Sequence, residues 1–187
     1  MVGLADDGSL RLALAPGVTP YASALADAPV GAQAEICEAG LALAAAIGER
    51  LGRHGGWALI VDYGHDHGHD GAPGASLQAV RGHRGADILD RPGETDLSAH
   101  VDFAALARAT GRPTFGPVGQ GDFLRRLGLA ERAKSLKARA SEAQRAAIDA
   151  ASVRLIAPDQ MGTLFRVLAV GDDRSAAPAG FSDTPSD

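Results

Sequence analysis

The stretch Gly55-Gly56-Trp57-Ala58-Leu59-Ile60-Val61-Asp62-Tyr63-Gly64 limits what this chain can become. A glycine pair opens it, a short apolar run fills it, and Asp62, Tyr63 and Gly64 close it. A continuous apolar run of this length between glycines predicts a strand buried on both faces, as inside a parallel α/β sheet. Ligands collect outside the carboxyl ends of such strands, which makes the closing residues site candidates. Asp62 would either hold a ligand or a substrate cation, or accept from the backbone amides of the next turn. Tyr63 would add a stacking surface and Gly64 a close backbone approach.

The flanking sequence supplies helices and further strands. Val2-Gly3-Leu4 and Leu10 to Leu14 flank Asp7-Gly8 and predict a hairpin. Residues 15–31 read as loop. Ile36, Gly40, Leu43, Ile47 and Leu51 mark one face of a helix over about residues 32–53, with Gly55 as its stop. Residues 76–81 predict a short extended segment, and 82–95 a polar loop. Asp102 is an N-cap for a helix ending near Gly111. Thr114 to Val118 is a weak strand, because Pro117 argues for an edge or an ending. Residues 120–127 predict a helix with Phe123, Leu124 and Leu127 inward. A helix over about 129–140 follows, and Ser141-Glu142-Ala143-Gln144 carries the capping-box spacing for another, ended by Pro158. Thr163 to Val170 is the last strand, and residues 171–187 form a Ser/Pro/Ala tail without a core pattern, expected to be disordered.

Several polar groups could carry chemistry. His65-Asp66-His67-Gly68-His69-Asp70 packs imidazoles and carboxylates closely enough to ligate zinc or nickel, or is a solvated loop that happens to be His-rich. Gln78, Arg81 and His83 could line a pocket, with Arg81 clamping an anion and His83 accepting a proton, or form an exposed polar edge. His100 and Asp102 flank Val101, and Asp102 reads better as a helix cap than as a catalyst. Glu35, placed in the first turn of the long helix, could aim a carboxylate at a site or complement the helix dipole. Cys37 reads as a small core residue, and a single cysteine excludes an internal disulfide.

Bulk properties narrow the class. The 187 residues carry a net charge of −5, which argues against a nucleic-acid binder with a basic face. No apolar run approaches the roughly 18 residues of a membrane span. No signal peptide is evident, so a cytoplasmic location is expected. No P-loop, nucleophile elbow or dinucleotide fingerprint occurs.

Five ordered motifs carry a resemblance: Leu59-Ile-Val-Asp-Tyr-Gly64, Ser76-Leu-Gln-Ala-Val-Arg-Gly-His83, Asp96-Leu-Ser-Ala-His-Val-Asp-Phe103, Gln120-Gly-Asp-Phe-Leu-Arg-Arg-Leu-Gly128 and Pro158-Asp-Gln-Met-Gly-Thr-Leu-Phe165. Together they resemble the C-terminal half of the MidA-like class I S-adenosyl-L-methionine-dependent methyltransferases, the family of the mitochondrial methyltransferase that assists respiratory complex I assembly. The resemblance implies a partial Rossmann-like α/β fold in residues 1–170. It would hold the last three strands of a seven-stranded sheet, the final one antiparallel, without the N-terminal cofactor-binding half. It further implies S-adenosyl-L-methionine as cofactor and protein arginine as acceptor, with this chain forming the acceptor-side wall. Asp62 would then position the acceptor, and His83 or His100 would take the proton. Tyr63 and Gly64 would touch cofactor, and Glu35, Gln78 and Arg81 substrate. A companion N-terminal half or a homodimer would complete the sheet. The competing expectations are a non-catalytic protein-interaction module and a metal-binding protein using His65–Asp70.

Overall fold

The computed structural model describes residues 1–25, 34–66, 76–172, 174 and 176–181. In chain order the elements are β1 (Val2–Leu4), β2 (Leu10–Leu12), a 3-10 turn (Ala22–Leu25), α1 (Glu38–His54), β3 (Trp57–His65), β4 (Gln78–Arg81), β5 (Arg84–Ala86), β6 (Asp96–Ser98) and β7 (Val101–Asp102). Then come α2 (Phe103–Thr110), β8 (Thr114–Gly119), α3 (Gln120–Arg126), α4 (Leu129–Lys137), α5 (Glu142–Ile156), α6 (Met161–Leu164) and β9 (Phe165–Gly171). They form two compact units: Met1–Ile36 with His69–His100, and Cys37–Gly68 with Val101–Asp187.

The first unit is small and antiparallel. β1 and β2 pair Val2 with Leu12 and Leu4 with Leu10, with Asp7 and Gly8 in the turn as expected. A second sheet runs β5-β4-β6. The loop expected over 82–95 is partly strand, because Gly82 and His83, with φ of 56° and 63°, make a two-residue connection between Arg81 and Arg84. Positive φ at both central residues is the requirement of the turn that matches the twist of a hairpin.

The second unit holds the larger sheet, in the order β7-β3-β9-β8. β9 is antiparallel to β3 and β8, as expected for the last strand, and β7 lies parallel to β3 at Gly64 and His65. One face carries Leu168 and Val170 with Phe103 and Leu51, all buried, and Ile47, Ala58, Ile60, Val101 and Ala107 pack around them. Burial of side chains of this size stabilises by roughly 1.5–3 kcal/mol each. Gly48 lets α1 approach α2 closely: a Cβ there would lie 1.8 Å from the Thr110 carbonyl oxygen.

The caps follow the sequence. Asp102 accepts from the Ala105 amide at 2.9 Å, and Gly111 ends α2 in the left-handed region. Ser141 and Gln144 close both halves of the capping box on α5. β8 is the edge strand that Pro117 suggested, with a register irregularity between Phe115 and Val118.

Some expectations are corrected. β3 is not buried on both faces: Trp57, Leu59 and Val61 are 43%, 54% and 45% exposed. The strand alternates, with Ala58 and Ile60 packed on the core and the odd-numbered residues open. Helix α1 begins at Glu38, so Glu35 lies before it and not in its first turn. Cys37 is exposed and caps α1, its Sγ accepting from the Gly40 amide at 3.4 Å. Leu127, expected inward, is 49% exposed. Within the tail expected to lack structure, Gly180 is buried and the Phe181 ring lies 5.2 Å from that of Phe123. An aromatic anchor explains this local order.

Candidate functional site

The carboxyl end of β3 gathers the polar groups of the second unit. Alternation along β3 places Asp62 in the row of Ala58 and Ile60. Its ladder partner is Arg166, in the row of Leu168 and Val170. The apolar layer between sheet and helices therefore ends in an acid and a base facing each other across two strands. Arg166 reaches onward, its Nη2 lying 3.8 Å from Asp66 Oδ1 with both side chains largely buried. That separation is an ion pair without a direct hydrogen bond. The Arg166 Nε is buried and has no hydrogen-bond partner among the described residues. Asp62 Oδ1 accepts from the Tyr63 amide at 2.8 Å, the local bond expected of a strand-end aspartate. Beside them Asp102, the β7 residue in register with His65, caps α2.

Tyr63 and Gly64 are engaged by the chain itself. The Tyr63 ring meets Phe165 edge-on at 5.7 Å. A Cβ at Gly64 would lie 2.2 Å from the Val101 carbonyl oxygen and 3.0 Å from Phe103 Cε2. The close backbone approach that this glycine permits is thus to β7 and α2.

The remaining candidates lie in the first unit. Glu35 accepts from the Ser76 amide at 2.9 Å and the Leu77 amide at 3.0 Å, and also from Ser76 Oγ. Ser76 Oγ in turn accepts from the His100 amide at 2.8 Å. Glu35 and His100 are thereby joined through one serine. Arg81 is not a free anion clamp, because its Nη1 pairs with Asp90 Oδ2 at 2.6 Å. Gln78 is exposed on β4, and His83 is exposed at the tip of the β4–β5 turn. The metal reading falls mostly on residues 67–70, which lie outside the described residues. Among the described residues no group of three or more His, Cys, Asp and Glu is placed to hold a metal. No described helix is long and apolar enough to cross a membrane.

Arg166 was not singled out from the sequence. One charge inside Phe165–Gly171, otherwise apolar, is the signal that was available.

Comparison with known proteins fixes the family. Residues 1–118 match the profile of S-adenosyl-L-methionine-dependent methyltransferases. The chain belongs to this MidA-like methyltransferase family. It is 34% identical over 164 residues to the mouse mitochondrial protein arginine methyltransferase NDUFAF7, and 32% identical over 167 residues to the human one. In each case the match takes in 86% of this chain, but 37% of the mouse protein and 36% of the human. A solved structure from Burkholderia thailandensis, bound to S-adenosyl-homocysteine, superposes with a TM-score of 0.81 at 26% identity, covering 99% of this chain and 50% of that one. The chain spans a little over a third of its curated relatives and about half of the solved one.

The expected cytoplasmic location is overturned, since the zebrafish, mouse and human relatives are mitochondrial proteins. Lack of a recognisable signal peptide and of a membrane-length segment does not choose between compartments.

Proposed function

We propose that this chain forms the acceptor-side portion of an S-adenosyl-L-methionine-dependent protein arginine methyltransferase, residues 1–170 being the C-terminal part of the domain. The observation that carries this reading is Asp62: a carboxylate at the carboxyl end of a sheet strand, opposite Arg166 and at the rim of the core. The names of the relatives and the S-adenosyl-homocysteine in the solved neighbour support the substrate and cofactor classes.

When bound, the cofactor supplies an electrophilic methyl group. The protein's task is then alignment, because an in-line displacement gains most from a fixed nucleophile. Asp62 would hold the acceptor guanidinium through charge-assisted N–H···O bonds and fix its approach. Tyr63 and Gly64 are occupied within the chain, so the cofactor cradle is assigned to a companion N-terminal portion. The open side of β3 supports that division. Over Trp57–Tyr63 the strand pairs with β9 on one side, and on the other its described pairing is confined to Gly64 and His65, with β7. The exposed row of Trp57, Leu59 and Val61 runs along this segment, and an open apolar strand edge invites pairing.

The same edge favours a second reading, in which the chain is an interaction module that uses β3 to bind a partner without catalysis. Two measurements separate the readings. Calorimetry would titrate S-adenosyl-homocysteine into the chain, alone and joined to the N-terminal portion of the Burkholderia relative. Methyl transfer from labelled cofactor to a protein arginine would be followed with the joined form. The expected result is cofactor binding and transfer by the joined form, with transfer reduced at least about a hundredfold by Asp62→Ala. A folded Asp62→Ala form that methylates normally would remove Asp62 from the reaction. Tight assembly without cofactor binding would favour the module.

A further inference from the structure

The pairing at the end of β3 is unusually loose for a guanidinium that is mostly buried. Arg166 stands opposite Asp62, keeps 3.8 Å from Asp66, and leaves its Nε without a hydrogen bond among the described residues. A buried guanidinium normally takes a bidentate fork on a carboxylate, with short N–H···O bonds. A buried N–H without an acceptor costs stability. Asp62 is the ladder partner of Arg166, and Asp66, in the bend that follows β3, brings its Oδ1 to 3.8 Å from the same guanidinium. The arrangement contains the parts of a guanidinium-binding site, with a resident guanidinium incompletely seated in it.

Resting on the arginine-acceptor reading above, we infer that Arg166 is a placeholder: in the free chain it occupies the position that the acceptor guanidinium takes against Asp62 and Asp66. Asp66 thereby becomes a second acceptor-binding carboxylate and Arg166 a specificity-determining residue. An incoming arginine gains the carboxylates only by displacing Arg166. The exchange is nearly balanced in charge, because one guanidinium replaces another. A lysine competes poorly, since its ammonium lacks the planar fork of donors that a guanidinium offers to carboxylates. The loose 3.8 Å contact keeps displacement easy, whereas a seated fork would lock the site.

The test uses the full 187-residue chain and N-acetyl-arginine methylamide as probe, with N-acetyl-lysine methylamide for comparison. NMR would follow the Arg166 Nε–H resonance while calorimetry gives affinity. Saturating arginine probe should move that resonance, and Arg166→Gln should bind the probe about tenfold tighter, the scale of one partly screened charge contact. Asp66→Asn added to Arg166→Gln should abolish the gain. Arg53→Gln, which removes an exposed arginine paired with Glu49, should change nothing. Either no gain in Arg166→Gln or a gain that survives Asp66→Asn overturns the inference. If Arg166→Gln does not fold, the unaltered chain decides: a resonance that stays fixed at saturating probe overturns it. S-adenosyl-homocysteine and the arginine probe titrated into the form joined to the N-terminal portion of the Burkholderia relative keep the two proposals apart. Cofactor binding without probe competition sinks the placeholder alone, whereas competition without cofactor binding sinks the methyltransferase reading alone.

Discussion

Asp62 and Arg166 face each other across the β3–β9 ladder, one alternation beyond the pair Ile60 and Leu168. The row passes from two apolar residues in register to two charges in register within a single step. Leu168 is fully buried, and Arg166 carries a buried Nε without a hydrogen-bond partner among the described residues. The charge is therefore a poor contributor to stability. Replacing Arg166 with Met, which fills similar space without the donor, should leave stability unchanged or raised by up to about 1 kcal/mol. Chemical denaturation of the two forms measures it. A loss beyond about 2 kcal/mol would show instead that the guanidinium braces the sheet end.

Gly64 separates packing from ligand contact. A Cβ there would fall 2.2 Å from the Val101 carbonyl oxygen, which is backbone and cannot swing aside. Gly64→Ala should push β7 away from β3 and cost about 3 kcal/mol, with lost amide protection at Val101 and Asp102. Were Gly64 only a surface for cofactor approach, the substitution would leave stability unchanged and weaken binding alone. Denaturation and hydrogen exchange on the chain decide this without any ligand.

His83 adopts φ of 63°, and Gly82 beside it 56°. The turn requires both, and a side chain in the left-handed region costs about 1 kcal/mol or more. His83→Gly should stabilise the β4–β5 hairpin by roughly 1 kcal/mol, and His83→Asn by less. Unfolding midpoints of the three forms check the order. A clear loss in His83→Gly would mean that the imidazole makes a contact worth more than the strain.

The carboxyl of Asp7 is held below the usual carboxylate range, first by the Ser9 hydroxyl, at 2.6 Å, and then by the Ser9 amide. A depressed folded value means that the β1–β2 turn gains from the ionised form above the ordinary Asp range, and loses that gain as pH falls through the folded value. Ser9→Ala should shift the Asp7 titration upward and flatten the acid loss of hairpin signals. A carbon-detected NMR titration of Asp7 in both forms measures it. An unmoved titration would show that the hydroxyl does not hold the proton off.

The local grammar of this fold was legible. Asp7-Gly8, Asp102, Gly111, Ser141 with Gln144, and Pro117 each act through their own backbone neighbourhood, and each appears where the sequence placed it. Burial was less legible. The run Trp57-Ala58-Leu59-Ile60-Val61 looks apolar on both faces, yet only the even-numbered residues meet the helices. A sequence run records a strand's tolerance for burial, not the layers present to cover it. Arg166 went unnoticed because its significance lies in register with Asp62, 104 positions away, which no local pattern encodes. Glu35 was misplaced because the apolar period of α1 extends backward from its true start at Glu38.

Outside the helix, Glu35 holds two consecutive amides, Ser76 and Leu77, while Ser76 Oγ bridges to the His100 amide. Glu35→Ala leaves those donors without their acceptor and should cost about 1–2 kcal/mol locally, since the group is exposed and water recovers part of each bond. Glu35→Gln keeps one acceptor oxygen and should lose about half as much. Hydrogen exchange discriminates the network from a substrate contact. In Glu35→Ala the Ser76 and Leu77 amides should exchange fastest, and His100 should follow to a smaller extent because Ser76 Oγ still accepts from it. If all three keep their protection while arginine-probe binding falls, Glu35 belongs to the substrate after all.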